Sequence, residues 1–248
     1  MIFKHFEEFT QAQFEPIKSF RLQDELNPKV WKDNELDPKI KEELLTLADD
    51  YFENLDLGNI QLKDVIFTGS LANYNWSEYS DFDLHLVFDF EDVNEEVDLV
   101  RKYLDAVEKY WKLQHDIKLK GYDVEIYCQD TNQPHHSTGI YSLKDDKWIK
   151  KPSKEKFEPD EELIRKKASI YMKTINELEE QFESGKTYDQ LEKKIKKVWK
   201  KIKDGRQAGL DREGEFSVEN LVFKLLRRNG YIERFMDLKS KSYDKQYK

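Results

Sequence analysis

The chain has 248 residues, enough for one or two domains with a substantial core. Hydrophobic and charged residues each make up 38% and aromatics 13%, which excludes a disordered chain and fits a soluble globular one with a heavily charged surface. Cys128 is the only cysteine, so an intrachain disulfide and a cysteine-based zinc site are excluded.

The net charge of −9 is divided unevenly: residues 1–150 carry 17 basic and 32 acidic side chains, residues 151–248 carry 25 and 19. A basic second half points either to polyanion binding or to solvated helix faces of opposite sign. No apolar run nears the roughly 18 residues a membrane span needs, and "MIFKHFEEFTQAQFEPIK" lacks a signal-peptide pattern. A cytoplasmic protein without membrane contact is expected.

In chain order, residues 1–35 mix Pro, aromatics and charge without a period and read as an arm packed onto a domain. "LDPKIKEELLTLADDYFENL" predicts a helix with Asp37 as N-cap and Pro38 in its first turn; Ile40, Leu44, Leu47, Tyr51 and Leu55 recur at helical spacing. "DVIFTG" (64–69) reads as a buried strand stopped by glycine and leading into a helix, and "FDLHLVFDF" (82–90) alternates as a second strand. The stretch 95–114 is an amphipathic helix with Val97, Val100, Leu104, Val107 and Trp111 on one face. "YDVEIYC" (122–128) predicts a third strand, and "GIYSLKDDKWI" (139–149) a hairpin turning at Asp145-Asp146.

After Pro152 the texture becomes helical, with two long charged helices and the shorter, more apolar "SVENLVFKLLRRNG", capped by Ser217 and stopped at Gly230. The organisation expected is an arm (1–35), an α/β domain (36–152) and a helical domain (153–248).

Asp81 and Asp83 project from one face of their strand while Phe82 and Leu84 take the other. Two carboxylates so close repel, and a divalent cation is the common remedy. Oxygen ligands favour Mg²⁺ or Mn²⁺, which typically join one or two protein carboxylates to substrate phosphates. Glu125, between Val124 and Ile126, completes a three-acid cluster if its strand pairs beside the second; Asp123, on the same face, is the rival. Gly69 lets a phosphate approach the backbone closely, and Ser70 adds a hydroxyl donor.

The set "FTGS", the spacer "LANYNWSEYS", "DFDLHL" and "DVEIY" resembles the signature of the DNA polymerase β-like nucleotidyltransferase superfamily: apolar-Gly-Ser, about ten residues, Asp-apolar-Asp, then an acid on a later strand. The motif core covers residues 64–128. The chain is also similar to phage and bacterial members of this superfamily, which implies a host cytoplasm. More faintly, "GIYSL…DKWIKKP" followed by helices resembles oligoadenylate-synthase-like and cyclic-dinucleotide-type transferases. One departure is Glu125, where many members carry aspartate.

The resemblance implies an α/β (α+β) nucleotidyltransferase palm with a mixed sheet and a C-terminal helical domain. It further implies Asp81, Asp83 and Glu125 as catalytic residues and ligands of Mg²⁺ or Mn²⁺. Gly69 and Ser70, with Asn220 and Lys224 of the helical part, would bind a nucleoside triphosphate such as ATP. The expected activity is transfer of a nucleoside monophosphate to a hydroxyl with release of pyrophosphate. The acceptor stays open among an RNA 3′-end such as tRNA, a protein, and a nucleotide in signal synthesis. A catalytically idle nucleotide-binding module is the reading from another class.

Other residues carry two readings each. His85 is a hydrogen-bonded strand residue or a contact to a metal-bound water; His135 and His136 are a polar loop or a substrate contact. Tyr74 and Trp76 anchor the spacer or stack on a base. Asn220, Lys224 and Arg227 form a polar stripe at helical spacing that faces solvent or a nucleotide. "KKIKKVWKKIK" (193–203) is an amphipathic surface helix or a track for an RNA backbone.

Overall fold

The computed structural model describes residues 9–135, 137–154 and 157–247, and the chain divides into two compact units, Leu22–Lys156 and Met1–Arg21 with Phe157–Lys248. The N-terminal segment is therefore shared between them.

In the first unit, two short strands, β1 (Trp31–Lys32) and β2 (Glu35–Leu36), form a hairpin. Its two turn residues, Asp33 and Asn34, both take positive φ, as a two-residue loop matched to strand twist requires. Helix α2 (Pro38–Asn54) follows a four-residue α1 (Gln11–Phe14) of the other unit; Asp37 caps α2, its carboxylate accepting from Lys39 N at 3.0 Å. The six-stranded sheet comprises β3 (Asp64–Thr68), β4 (Asp81–Phe88), β5 (Lys118–Leu119), β6 (Tyr122–Asp130), β7 (Ile140–Ser142) and β8 (Lys147–Lys150). The order is β5-β6-β4-β3-β7-β8, and β4–β6 is the parallel pair in an otherwise antiparallel, hence mixed, sheet. A parallel pair needs a crossover, and α3 (Val97–Gln114) makes it.

The core of this unit lies on the sheet face from which Phe82 and Leu84 project, both fully buried. From α2, Ile40, Leu44, Ala48 and Tyr51 enter it; Ala48 takes the fully buried place expected of Leu47, which is only partly covered. From α3, Val100 and Leu104 are buried, while Val97, Val107 and Trp111 pack at the margin. Trp31 inserts between Phe67 and Trp148, with ring centroids at 5.6 and 4.6 Å. Its indole N–H donates to Leu71 O at 2.7 Å. The supposed arm thus supplies a core tryptophan.

The second unit is helical: α4 (Glu161–Glu183), α5 (Tyr188–Glu213), α6 (Val218–Arg228) and α7 (Tyr231–Asp244). Ser217 caps α6, and Gly230 follows it in the left-handed region at φ 71°. Phe14, Ile17 and Phe20 are buried among Ile164, Met172, Leu225 and Phe235, so residues 9–21 complete this core. Among the described residues no helix is long and apolar enough to cross a membrane.

Candidate metal centre

Strand β4 places Asp81, Asp83 and His85 on the face opposite the core, each half-buried. The parallel register aligns Asp81 with Asp123 and Asp83 with Glu125. Asp81, Asp83 and Glu125 each offer one carboxylate oxygen, and these atoms lie within 4.8 Å of one another. Asp123 has a different partner: it is ion-paired with Lys118 of β5, the strand on its other side. Lys118 titrates above its usual value because of that hydrogen bond. Pairing thus gives the two candidate third acids different neighbours.

Gly69 closes β3 at φ 74° and ψ −163°, a combination essentially confined to glycine. A Cβ there would fall on the Asp83 carboxylate, 2.6 Å from Cγ and 3.0 Å from Cβ. Asp83 therefore packs directly over the backbone of Gly69. Its absent side chain makes room for an acid of this chain, a need the sequence does not display.

The spacer does not form the helix expected after Gly69. It makes a single 3₁₀ turn, Ser70–Ala72, and then a loop held by side chains, because its Ser and Asn residues take the backbone bonds that a helix would use. Asn73 Nδ2 donates to Gly69 O at 2.6 Å, and its Oδ1 accepts from Thr138 Oγ1 at 2.6 Å. Ser70 Oγ donates to Ser80 Oγ at 2.7 Å, and Ser80 Oγ also accepts from Ser77 N at 2.9 Å. Ser80 immediately precedes Asp81, so the Gly-Ser end of β3 and the start of β4 are stapled together. Trp76 anchors this loop, its indole N–H donating to Glu25 O at 2.9 Å. Tyr74 packs at the core margin with the Lys154 ammonium over its ring.

His85 lies 2.6 Å, Nδ1 to Oε1, from Gln129. Burial lowers the His85 pKa, the bond to Gln129 opposes this, and His135 adds to the lowering. His85 is a hydrogen-bonded strand residue in this structure. His135 sits beside Gln129 Nε2, and His136 lies outside the described residues.

Two neighbours of Glu125 escaped the sequence reading. Tyr127 donates its hydroxyl to Glu125 Oε2, and burial with the adjacent carboxylate raises the Tyr127 pKa. Period-2 alternation could have flagged it, since positions 125 and 127 share a face. Lys112 Nζ lies 3.6 Å from Glu125 Oε1, a contact between α3 and β6 that no local pattern encodes. Burial also pushes the Cys128 thiol up to about 12, which keeps it protonated and inert.

Asn220 and Lys224 belong to the helical unit. Asn220 is buried, its Oδ1 accepting from Arg206 Nε at 3.1 Å and its Nδ2 donating to Glu215 O at 2.6 Å. Lys224 lies 3.9 Å from Glu215; burial lowers its pKa, against the pull of that carboxylate. Arg227 is exposed. In the 193–203 stretch, Val198 and Trp199 pack against the helical core, while Lys196 pairs with Glu192 and Lys200 with Asp204.

No protein-family model matches the chain, and no curated protein matches it. Among solved structures, the STING-associated CdnE c-di-GMP synthase from Capnocytophaga granulosa is matched at 15% identity over 86% of this chain and 84% of that one. The TM-score is 0.20, too low to establish a shared fold.

Proposed function

We propose that the chain is a divalent-metal-dependent nucleotidyltransferase. The observation that carries this reading is the convergence of Asp81, Asp83 and Glu125 from two adjacent parallel strands, with ligand atoms within 4.8 Å. An all-oxygen donor set of this kind fits Mg²⁺ or Mn²⁺. The shape fits as well, since Gly69 leaves the Asp83 carboxylate the space a side chain would fill.

A bound cation would neutralise phosphate charge and act as a Lewis acid on the transferred group. The residues of the chain do the rest. Asp81 and Asp83 hold the centre, and Glu125 completes it and orients the attacking hydroxyl. Gly69 and Ser70 present backbone N–H donors to the triphosphate, and the Ser70 hydroxyl turns to it from Ser80 Oγ. The acceptor hydroxyl gives its proton to Glu125 or to water as its oxygen bonds to the α-phosphorus, the bond from that phosphorus to the bridging oxygen breaks, and pyrophosphate leaves.

The test is incubation with α-labelled nucleoside triphosphates, Mg²⁺ or Mn²⁺, and RNA, protein or nucleotide acceptors in separate reactions. Label should move to an acceptor with release of pyrophosphate. Asp81→Asn with Asp83→Asn should lower the rate at least ~10³-fold while thermal melting shows a folded chain. A double variant within tenfold of wild type refutes the metal assignment.

A further inference from the structure

Glu125 is held from two sides. Tyr127 donates to Oε2, and the Lys112 ammonium lies 3.6 Å from Oε1. Lys112 bridges two carboxylates and is nearer the other, Glu108 Oε1 at 3.0 Å, one helical turn back on α3. Its ammonium also stands 4.7 Å from the centroid of the Tyr127 ring. Lys112 is partly exposed, with 38% of its side-chain surface accessible, so it can give up the longer contact to Glu125 and keep the shorter one to Glu108 without repacking the core.

Each contact constrains how Glu125 can ligate a metal. Either oxygen keeps a lone pair for a metal, but with the ammonium 3.6 Å from Oε1 an ion that reaches Glu125 arrives beside a positive charge of the chain. A divalent ion beside an ammonium meets like-charge repulsion, and the cheapest relief is withdrawal of the ammonium from Glu125 while it keeps Glu108, which it already contacts.

We propose that Tyr127 and Lys112 are positioning residues for Glu125, in which Tyr127 fixes one carboxylate oxygen and Lys112, bridging Glu108 and Glu125, lies beside the other until a divalent cation loosens that longer contact and leaves the ammonium with Glu108. This rests on reading the acid cluster as a divalent metal centre. Lys112 sets how tightly the centre binds metal before nucleotide arrives. With Lys112 present, a free ion is held weakly and the negative phosphates of an incoming nucleotide restore the balance. Glu108, which keeps the ammonium, makes the withdrawal reversible.

The experiment is Mn²⁺ titration of the full chain without nucleotide, followed by calorimetry and by the electron paramagnetic resonance signal of free Mn²⁺. Lys112→Met should tighten Mn²⁺ binding roughly tenfold, because it removes a positive charge beside the ligand oxygen. Lys112→Arg should stay near wild type. Lys109→Met, an equal charge change at an exposed position of the same helix, should shift affinity less than about twofold through screening by solvent. Tyr127→Phe should weaken binding by about threefold to tenfold, since Glu125 loses the bond that orients it. Glu108→Gln should weaken binding in the wild-type background, by releasing Lys112 to Glu125, and do less in Lys112→Met, a non-additivity that shows Lys112 couples the two carboxylates.

A structural lesion cannot tighten metal binding, so the sign of the Lys112→Met effect separates positioning from packing. Unchanged or weaker Mn²⁺ affinity in folded Lys112→Met overturns the proposal even if Asp81→Asn and Asp83→Asn abolish binding, which would leave the metal centre standing. If those aspartate variants leave Mn²⁺ affinity untouched, the centre and this inference fail together.

Discussion

Gly69→Ala perturbs the proposed metal centre without replacing any of its three acids. Two costs are readable from the structure. The backbone at φ 74° and ψ −163° is strained for any residue with a Cβ, at about 1–3 kcal/mol. The new methyl also lands on the Asp83 carboxylate, with Cγ only 2.6 Å away, so Asp83 must rotate off its position or the loop must open. Overpacking of this kind adds about 1–3 kcal/mol. A loss of roughly 2–6 kcal/mol is expected, together with loss of Mn²⁺ binding because Asp83 no longer reaches Asp81 and Glu125. Urea unfolding gives the first quantity and Mn²⁺ titration the second. Gly58→Ala is the control: Gly58 also has positive φ, 70°, but its Cβ would meet nothing within 4 Å, so only the backbone cost should appear. In an Asp83→Ala background, Gly69→Ala should cost less than in wild type, because most of the obstructing side chain is gone. If Gly69→Ala keeps wild-type stability and Mn²⁺ affinity, the close approach of Asp83 to this backbone is not what the glycine serves.

Glu125→Gln should cripple nucleotide transfer, while Asp123→Asn, whose carboxylate is exposed and bound to Lys118, should lower it less than about threefold; the opposite ranking in a steady-state assay means the wrong acid has been assigned. Replacing Lys193, Lys194, Lys196 and Lys197 with glutamine should weaken RNA binding and flatten its salt dependence if RNA is the acceptor, with nucleotide affinity nearly unchanged. Unaltered RNA affinity and salt slope in a filter-binding series would mark this stretch as a solvated helix face. Glu219 gains Lys167 at 2.6 Å, which lowers its pKa below the usual 4.5 in the folded chain. Its stabilisation is complete above the unfolded value and vanishes as pH falls through the folded one. Glu219→Gln should therefore destabilise by less than about 1 kcal/mol at pH 7, since the pair is partly exposed, and the difference should close in unfolding curves as pH falls below the ordinary glutamate range.

What the sequence by itself determined is what depends on near neighbours. The alternation around Asp81 and Asp83 sends Phe82 and Leu84 into the core because strand geometry has a period of two. The caps at Asp37 and Ser217 and the stop at Gly230 follow from side chains that bond their own backbone, or from a residue without a Cβ. The spacing of Gly69, Ser70, Asp81 and Asp83 was readable for the same reason, since these residues lie within one strand-loop-strand segment.

Tertiary structure decided what depends on partners far along the chain. Whether Glu125 or Asp123 joins the aspartates turns on the β4–β6 register and on Lys118 arriving from β5, neither of which spacing encodes. The apparently irregular N-terminal segment contributes Trp31 to one core and Phe14, Ile17 and Phe20 to another; such short apolar insertions have no period to read. The helix expected after Gly69 failed because Asn73, Ser77 and Ser80 found bonds across the loop that compete with helical ones. Lys112 reaches Glu125 only because the crossover helix packs along β6, so the setting of the third acid belongs to packing and not to any local pattern.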